Sequence, residues 1–64
     1  MPIVSITLIE GRTDEQKNAM FREVTEAIHR TVGAPKDSVR IMINEIPARH
    51  FAAGGIPKTG PSGT

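Results

Sequence analysis

Apolar residues recur with period two from Ile3 to Ile9, and within four residues that pattern gives way to the start of a helix. Alternation of this kind is the signature of a strand. It puts Val4, Ile6 and Leu8 on one face and Ile3, Ser5, Thr7 and Ile9 on the other. Glu10-Gly11 ends it. Thr13 then stands as an N-cap with Gln16 three residues on, the spacing of a capping box, while Asp14 and Glu15 fall in the first turn, where the helix dipole favours negative charge. Met20, Val24, Ala27, Ile28 and Thr31 follow at helical spacing and predict an apolar stripe on a helix of about four or five turns. Gly33 and Pro35 stop it. A second strand is expected over residues 39–46, with Val39, Ile41 and Ile43 on one face and Met42 and Ile46 on the other.

Strand, helix and strand joined in this way make a right-handed βαβ unit with parallel strands, an α/β (α+β) arrangement in which the helix covers one side of the sheet. One helix cannot cover both faces, and two strands leave open edges, so a second copy is needed to pair with them. Gly54-Gly55 marks a C-terminal hairpin turn. The whole of residues 1–64 reads as a single domain, with 58–64 (KTGPSGT) as a flexible tail lacking apolar periodicity.

Size sharpens the case for assembly. A chain of 64 residues buries only ~60% of the surface that its unfolded form exposes. Cysteine is absent, and His29 and His50 lack the spacing of a zinc site, so neither disulfides nor a metal is expected to staple the fold. Oligomerisation is the remaining device. The net charge of +1, the absence of single-sign charge runs and an aromatic set limited to Phe21 and Phe51 argue against nucleic acid as a partner. The first strand is too short and too interrupted by Ser5 and Thr7 for a signal peptide or a membrane span, which gives the expectation of a cytoplasmic protein.

The residues able to carry chemistry are few. Pro2 follows the initiator methionine, and a residue this small at that position favours methionine removal, which turns the Pro2 nitrogen into a secondary amine, basic and nucleophilic. Proline also suits the first residue of a strand without any function. Arg12 sits at the loop entering the helix, and Arg40 lies early on the second strand, opposite the Val39–Ile41–Ile43 face. The planar fork of arginine holds a carboxylate by two hydrogen bonds, whereas Arg22 and Arg30 fit a solvated helix face. A terminal amine near such cations, and beside a ring that displaces water, has its charged form disfavoured twice, as a general base at neutral pH requires. Phe51, in the small-residue stretch FAAGG, is the available ring.

The stretches MPIVSITLIEGRTDEQK, REVTEAI, APKDSVRIMINEI and RHFAAGG closely resemble the 4-oxalocrotonate tautomerase family, small βαβ chains that use an amino-terminal proline as general base. The likeness runs to about Pro57. It implies Pro2 as the catalytic base, Arg12 and Arg40 as catalytic and substrate-binding arginines, Phe51 as the hydrophobic wall, and no cofactor or metal. It further implies a homohexamer, a trimer of dimers, in which the arginines reach a given Pro2 from neighbouring subunits. The substrate so implied is a dicarboxylate or keto acid, a 2-hydroxydienoate or enol of the 2-hydroxymuconate type met in aromatic hydrocarbon catabolism. Arg49, which stands where the best-known members carry glycine, and Pro47 depart from the pattern at the pocket rim, so the substrate is left open; His50 is read as structural. A hydrolytic dehalogenase of haloacrylates is the alternative enzyme, and it needs a carboxylate that Ala52 and Ala53 do not supply. A non-catalytic oligomeric binding module is the alternative outside enzymes.

Overall fold

A computed structural model describes residues 1–58. Strand β1 (Ile3–Ile9) is followed by helix α1 (Asp14–Val32), a 3-10 turn (Lys36–Ser38), strand β2 (Arg40–Ile46), a second 3-10 turn (Ala48–His50) and the short strands β3 (Ala52–Ala53) and β4 (Ile56–Pro57). β1 and β2 pair in parallel, with Val4 opposite Ile41, Ile6 opposite Ile43 and Ile9 opposite Ile46. β3 and β4 form an antiparallel hairpin whose turn residues, Gly54 (φ 61°) and Gly55 (φ 83°), take the left-handed conformation required at both positions of a type I′ turn. This is the βαβ arrangement with parallel strands and a C-terminal hairpin that the sequence predicts.

Local chemistry sets the helix ends. The Thr13 hydroxyl accepts from the Gln16 N–H at 3.1 Å, and the Gln16 side chain accepts from the Thr13 N–H at 2.9 Å, so a complete capping box opens α1. Gly33, at φ 85°, closes it by donating its N–H to the His29 carbonyl at 3.1 Å. At 19 residues the helix makes just over five turns at ~3.6 residues per turn. Its packed face differs from the expected stripe at both margins. Thr31 is exposed, and its hydroxyl donates back to the Ala27 carbonyl at 2.6 Å. Phe21 and Thr25 are half-buried in its place.

The second strand starts one residue later than expected. Val39 donates its N–H to the Lys36 carbonyl at 3.2 Å and thereby closes the 3-10 turn, so it is not available to the ladder. Pairing begins with Arg40, whose N–H donates to the Pro2 carbonyl at 3.0 Å. Val4, Ile6, Leu8, Ile41 and Ile43 are half-buried on the helix side, and Lys17 of α1 donates to the Glu45 carboxylate at 3.0 Å across that same side.

The other face of the sheet is open. Ile3 is 64% exposed and Met42 55% exposed. Among the described residues Ile9 alone is fully buried. The Cα radius of gyration of 14.2 Å exceeds the roughly 10–11 Å of a compact domain of this length. The described residues of a single copy therefore have the secondary structure of a domain with little of its core. No helix among the described residues is long and apolar enough to cross a membrane.

Candidate active site

The expected site residues fall at opposite ends of the β1–β2 sheet. Pro2 and Arg40 lie at its N-terminal end, joined through the Arg40 N–H and the Pro2 carbonyl. Arg40 shares the open face with its ladder partner Ile3, and its guanidinium curls back to donate to the carbonyls of Asp37 (2.6 Å) and Val39 (3.3 Å). Those bonds are exposed, so an incoming carboxylate can compete for the fork. Phe21, Thr25, Val39 and Ile41 line a shallow groove with it.

Arg12 and Phe51 lie at the C-terminal end. Gly11, at φ 129°, turns the chain out of β1, and Arg12 folds back so that Nη1 donates to the Ile9 carbonyl at 2.9 Å. The Ala48–His50 turn, closed by the Phe51 N–H on the Ala48 carbonyl at 3.1 Å, brings the Phe51 ring to the same end. Between them opens a cavity of about 530 Å³, floored by Leu8, Ile9 and Ile46 and bordered by Arg12, Phe51 and Lys58. None of the described residues lining it is acidic. An apolar floor with a cationic rim suits an organic anion, because the floor takes the hydrocarbon and the rim takes the charge.

The seven residues of β1 separate the two ends by roughly 20 Å at ~3.3 Å per residue. Arg12 and Phe51 are thus brought together within one copy, and Pro2 is not brought to them. A further resident of the cavity, Lys58, belongs to the stretch read from the sequence as a tail; residues 59–64 of that stretch lie outside the described residues. Lys58 is half-buried, and its N–H donates to the Phe51 carbonyl at 2.8 Å. The signal for it was present. If Ala53 pairs with Ile56 and Ala52 with Pro57, the next rung of the hairpin joins Phe51 to Lys58. His50 is exposed and donates its N–H to the Pro47 carbonyl at 2.9 Å, as a turn former does. Among the described residues no cluster of His, Cys, Asp or Glu is arranged to hold a metal ion.

Comparison with known proteins covers almost the whole chain. A family model described as tautomerase enzyme matches residues 2–59. A 2-hydroxymuconate tautomerase of Stutzerimonas stutzeri is 54% identical over 55 residues, spanning 86% of this chain and 87% of the relative. A probable tautomerase of Ralstonia nicotianae is 49% identical over 59 residues, spanning 92% and 84% of the two chains. Among solved structures, one of the 4-oxalocrotonate tautomerase isozymes from Methylibium petroleiphilum superposes with a TM-score of 0.85 at 45% identity, covering 88% of each chain. A heterohexamer 4-oxalocrotonate tautomerase from Chloroflexus aurantiacus gives a TM-score of 0.86 at 37% identity, covering 89% of this chain and 92% of that one.

Proposed function

The chain belongs to the tautomerase family, and from that premise we propose that it converts a 2-hydroxydienoate, or the enol of a keto acid of the 2-hydroxymuconate type, into its conjugated keto isomer without a cofactor. The observation that carries this reading is the division of Pro2 and Arg40 from Arg12 and Phe51 between the two ends of a sheet with free edges. Antiparallel pairing of β1 with β1 of a second copy reverses the direction of one strand. It carries Pro2 of one copy to the Arg12 and Phe51 end of the other. Arg12 and Phe51 of one copy then stand beside Pro2 of the other, and assembly into a hexamer covers the remaining sheet face and brings in Arg40 of a neighbouring subunit.

In the completed site each residue has a distinct task. Once Met1 is removed, the Pro2 nitrogen is a secondary amine, and nearby guanidinium groups and the Phe51 ring both disfavour its protonated form. The free amine accepts the proton of the substrate 2-hydroxyl as the carbonyl forms, and the protonated amine returns that proton to a distal carbon of the diene. Arg40 holds the 2-oxygen and the neighbouring carboxylate, where charge changes during the reaction. Arg12 binds the far carboxylate and draws electron density toward it. Hydrolytic dehalogenation, which needs a carboxylate to activate water, is disfavoured because none of the described residues lining the cavity is acidic.

The test is turnover of 2-hydroxymuconate by the intact protein and by Pro2→Ala. We expect the substitution to lower kcat by about 10²- to 10⁴-fold, the range of a positioned acid–base group. Equal turnover by the two proteins contradicts the reading.

A further inference from the structure

We propose that Lys58 is a second carboxylate-binding cation of this site, acting beside Arg12, and that it biases the protein toward substrates with two carboxylates. The inference rests on the functional reading above and specifies its substrate class. Its position is fixed by the backbone: the Lys58 N–H donates to the Phe51 carbonyl at 2.8 Å, one rung beyond the Ala52–Pro57 pair. The lysine therefore leaves the hairpin directly opposite the ring that walls the cavity. Its side chain is half-buried and lines the same space as Arg12, above Leu8, Ile9 and Ile46.

The electrostatics give that position a direction. Glu45 is taken by Lys17 and Glu26 by Lys36, and among the described residues the Lys58 ammonium has no carboxylate partner. Among the described residues that line the cavity, Lys58 adds positive charge beside an apolar floor, and none of them is acidic. A substrate carboxylate entering here meets the planar fork of Arg12 and the compact charge of Lys58, which are complementary ways to hold one anion. A substrate with one carboxylate, already held by Arg40 at the other end of the site, offers this rim nothing. Lys58 consequently discriminates by substrate charge and contributes through binding, without moving the proton.

Two readouts test this, both with the full-length oligomer of wild type, Lys58→Met and Lys58→Arg. The first is the ratio of kcat/KM for 2-hydroxymuconate to that for the monocarboxylate 2-hydroxypentadienoate. The second is calorimetric binding of muconate and of sorbate, unreactive dienes with two carboxylates and one. We expect Lys58→Met to lower both ratios about five- to tenfold, mainly through KM, as loss of one charged hydrogen bond implies, and Lys58→Arg to restore them. Ratios that do not move in Lys58→Met, or that fall equally in Lys58→Arg, overturn the assignment. If wild type turns over neither hydroxydienoate, the functional reading fails, while the muconate-to-sorbate ratio still decides for or against Lys58.

Discussion

The N–H of Arg40 donates to the carbonyl of Pro2 at 3.0 Å, a bond that opens the parallel ladder in which Arg40 stands opposite Ile3. The bond uses only main-chain atoms. It fixes where both residues begin without engaging the Arg40 side chain, whose guanidinium bonds to the Asp37 and Val39 carbonyls. Arg12 and Phe51 are anchored just as firmly at the far end, by the Ile9 and Ala48 carbonyls. The fold thus holds Pro2 and Arg40 at one end of the sheet and Arg12 and Phe51 at the other.

Association should also be the condition for folding. Ile3 and Met42 are exposed on a sheet face that the helix does not cover, and only Ile9 is fully buried among the described residues. We expect sedimentation of the wild type to give a hexamer, and Met42→Lys to break it with loss of helical circular dichroism, because a buried unpaired charge at an apolar interface is costly. A stable folded monomer of wild type at micromolar concentration contradicts this.

The arginines should separate by kinetic role. Arg40→Ala is expected to lower kcat for 2-hydroxymuconate more than Arg12→Ala does, and Arg12→Ala to act more through KM, with the oligomer intact in both. Arg22, exposed on α1, serves as the comparison. Activity loss in Arg22→Ala as large as in Arg40→Ala removes the assignment.

The secondary structure was legible because its signals are local. The Thr13–Gln16 capping box, Gly33, the Gly54-Gly55 turn and the alternation in β1 each report on their own neighbours. Misplacements arose where a competing local bond intervened, as at Val39, whose N–H goes to the 3-10 turn, and at Thr31, whose hydroxyl turns back to the helix. The candidate site was legible as residue types but not as a place. Nothing local states that Pro2 and Arg12 stand at opposite ends of β1, and Lys58 emerges only when the hairpin register is carried one rung further.

Two surface ion pairs give the stability a pH dependence whose sign follows from their shifts. The Lys36 ammonium, bonded to the Glu26 carboxylate, holds that group below its ordinary value of 4.5. Its contribution is present above pH 4.5 and is lost as the pH falls through the lowered value. The Glu45 hydrogen bond raises Lys17 above its ordinary 10.5, so that contribution is complete below pH 10.5 and is lost as the pH rises through the raised value. Both are solvent-screened and small. In thermal melts the gap in Tm between wild type and Glu26→Gln should close in acid, and that between wild type and Lys17→Met should close in alkali. Gaps that persist at both extremes contradict the pairings.

The base itself should declare its terminus and its titration. Intact mass is expected to show Met1 removed, and the acidic limb of kcat/KM against pH to fall at a pKa below that of an ordinary secondary amine, since the arginines repel a proton and Phe51 reduces hydration of the charged form. Full activity from chains proven to retain Met1 excludes Pro2 as the base.

The claim that Arg12 of one copy serves Pro2 of another is tested most directly by mixing inactive subunits. Pro2→Ala and Arg12→Ala chains, each with little activity alone, are unfolded together, refolded at equal ratio and assayed on 2-hydroxymuconate. If Pro2 of one copy works with Arg12 of another, random pairing gives about a quarter of the sites both native residues, and activity returns toward about a quarter of wild type. If Pro2 and Arg12 of the same copy form the site, no mixture holds a native pair, and activity that stays at the level of the separate variants contradicts the account.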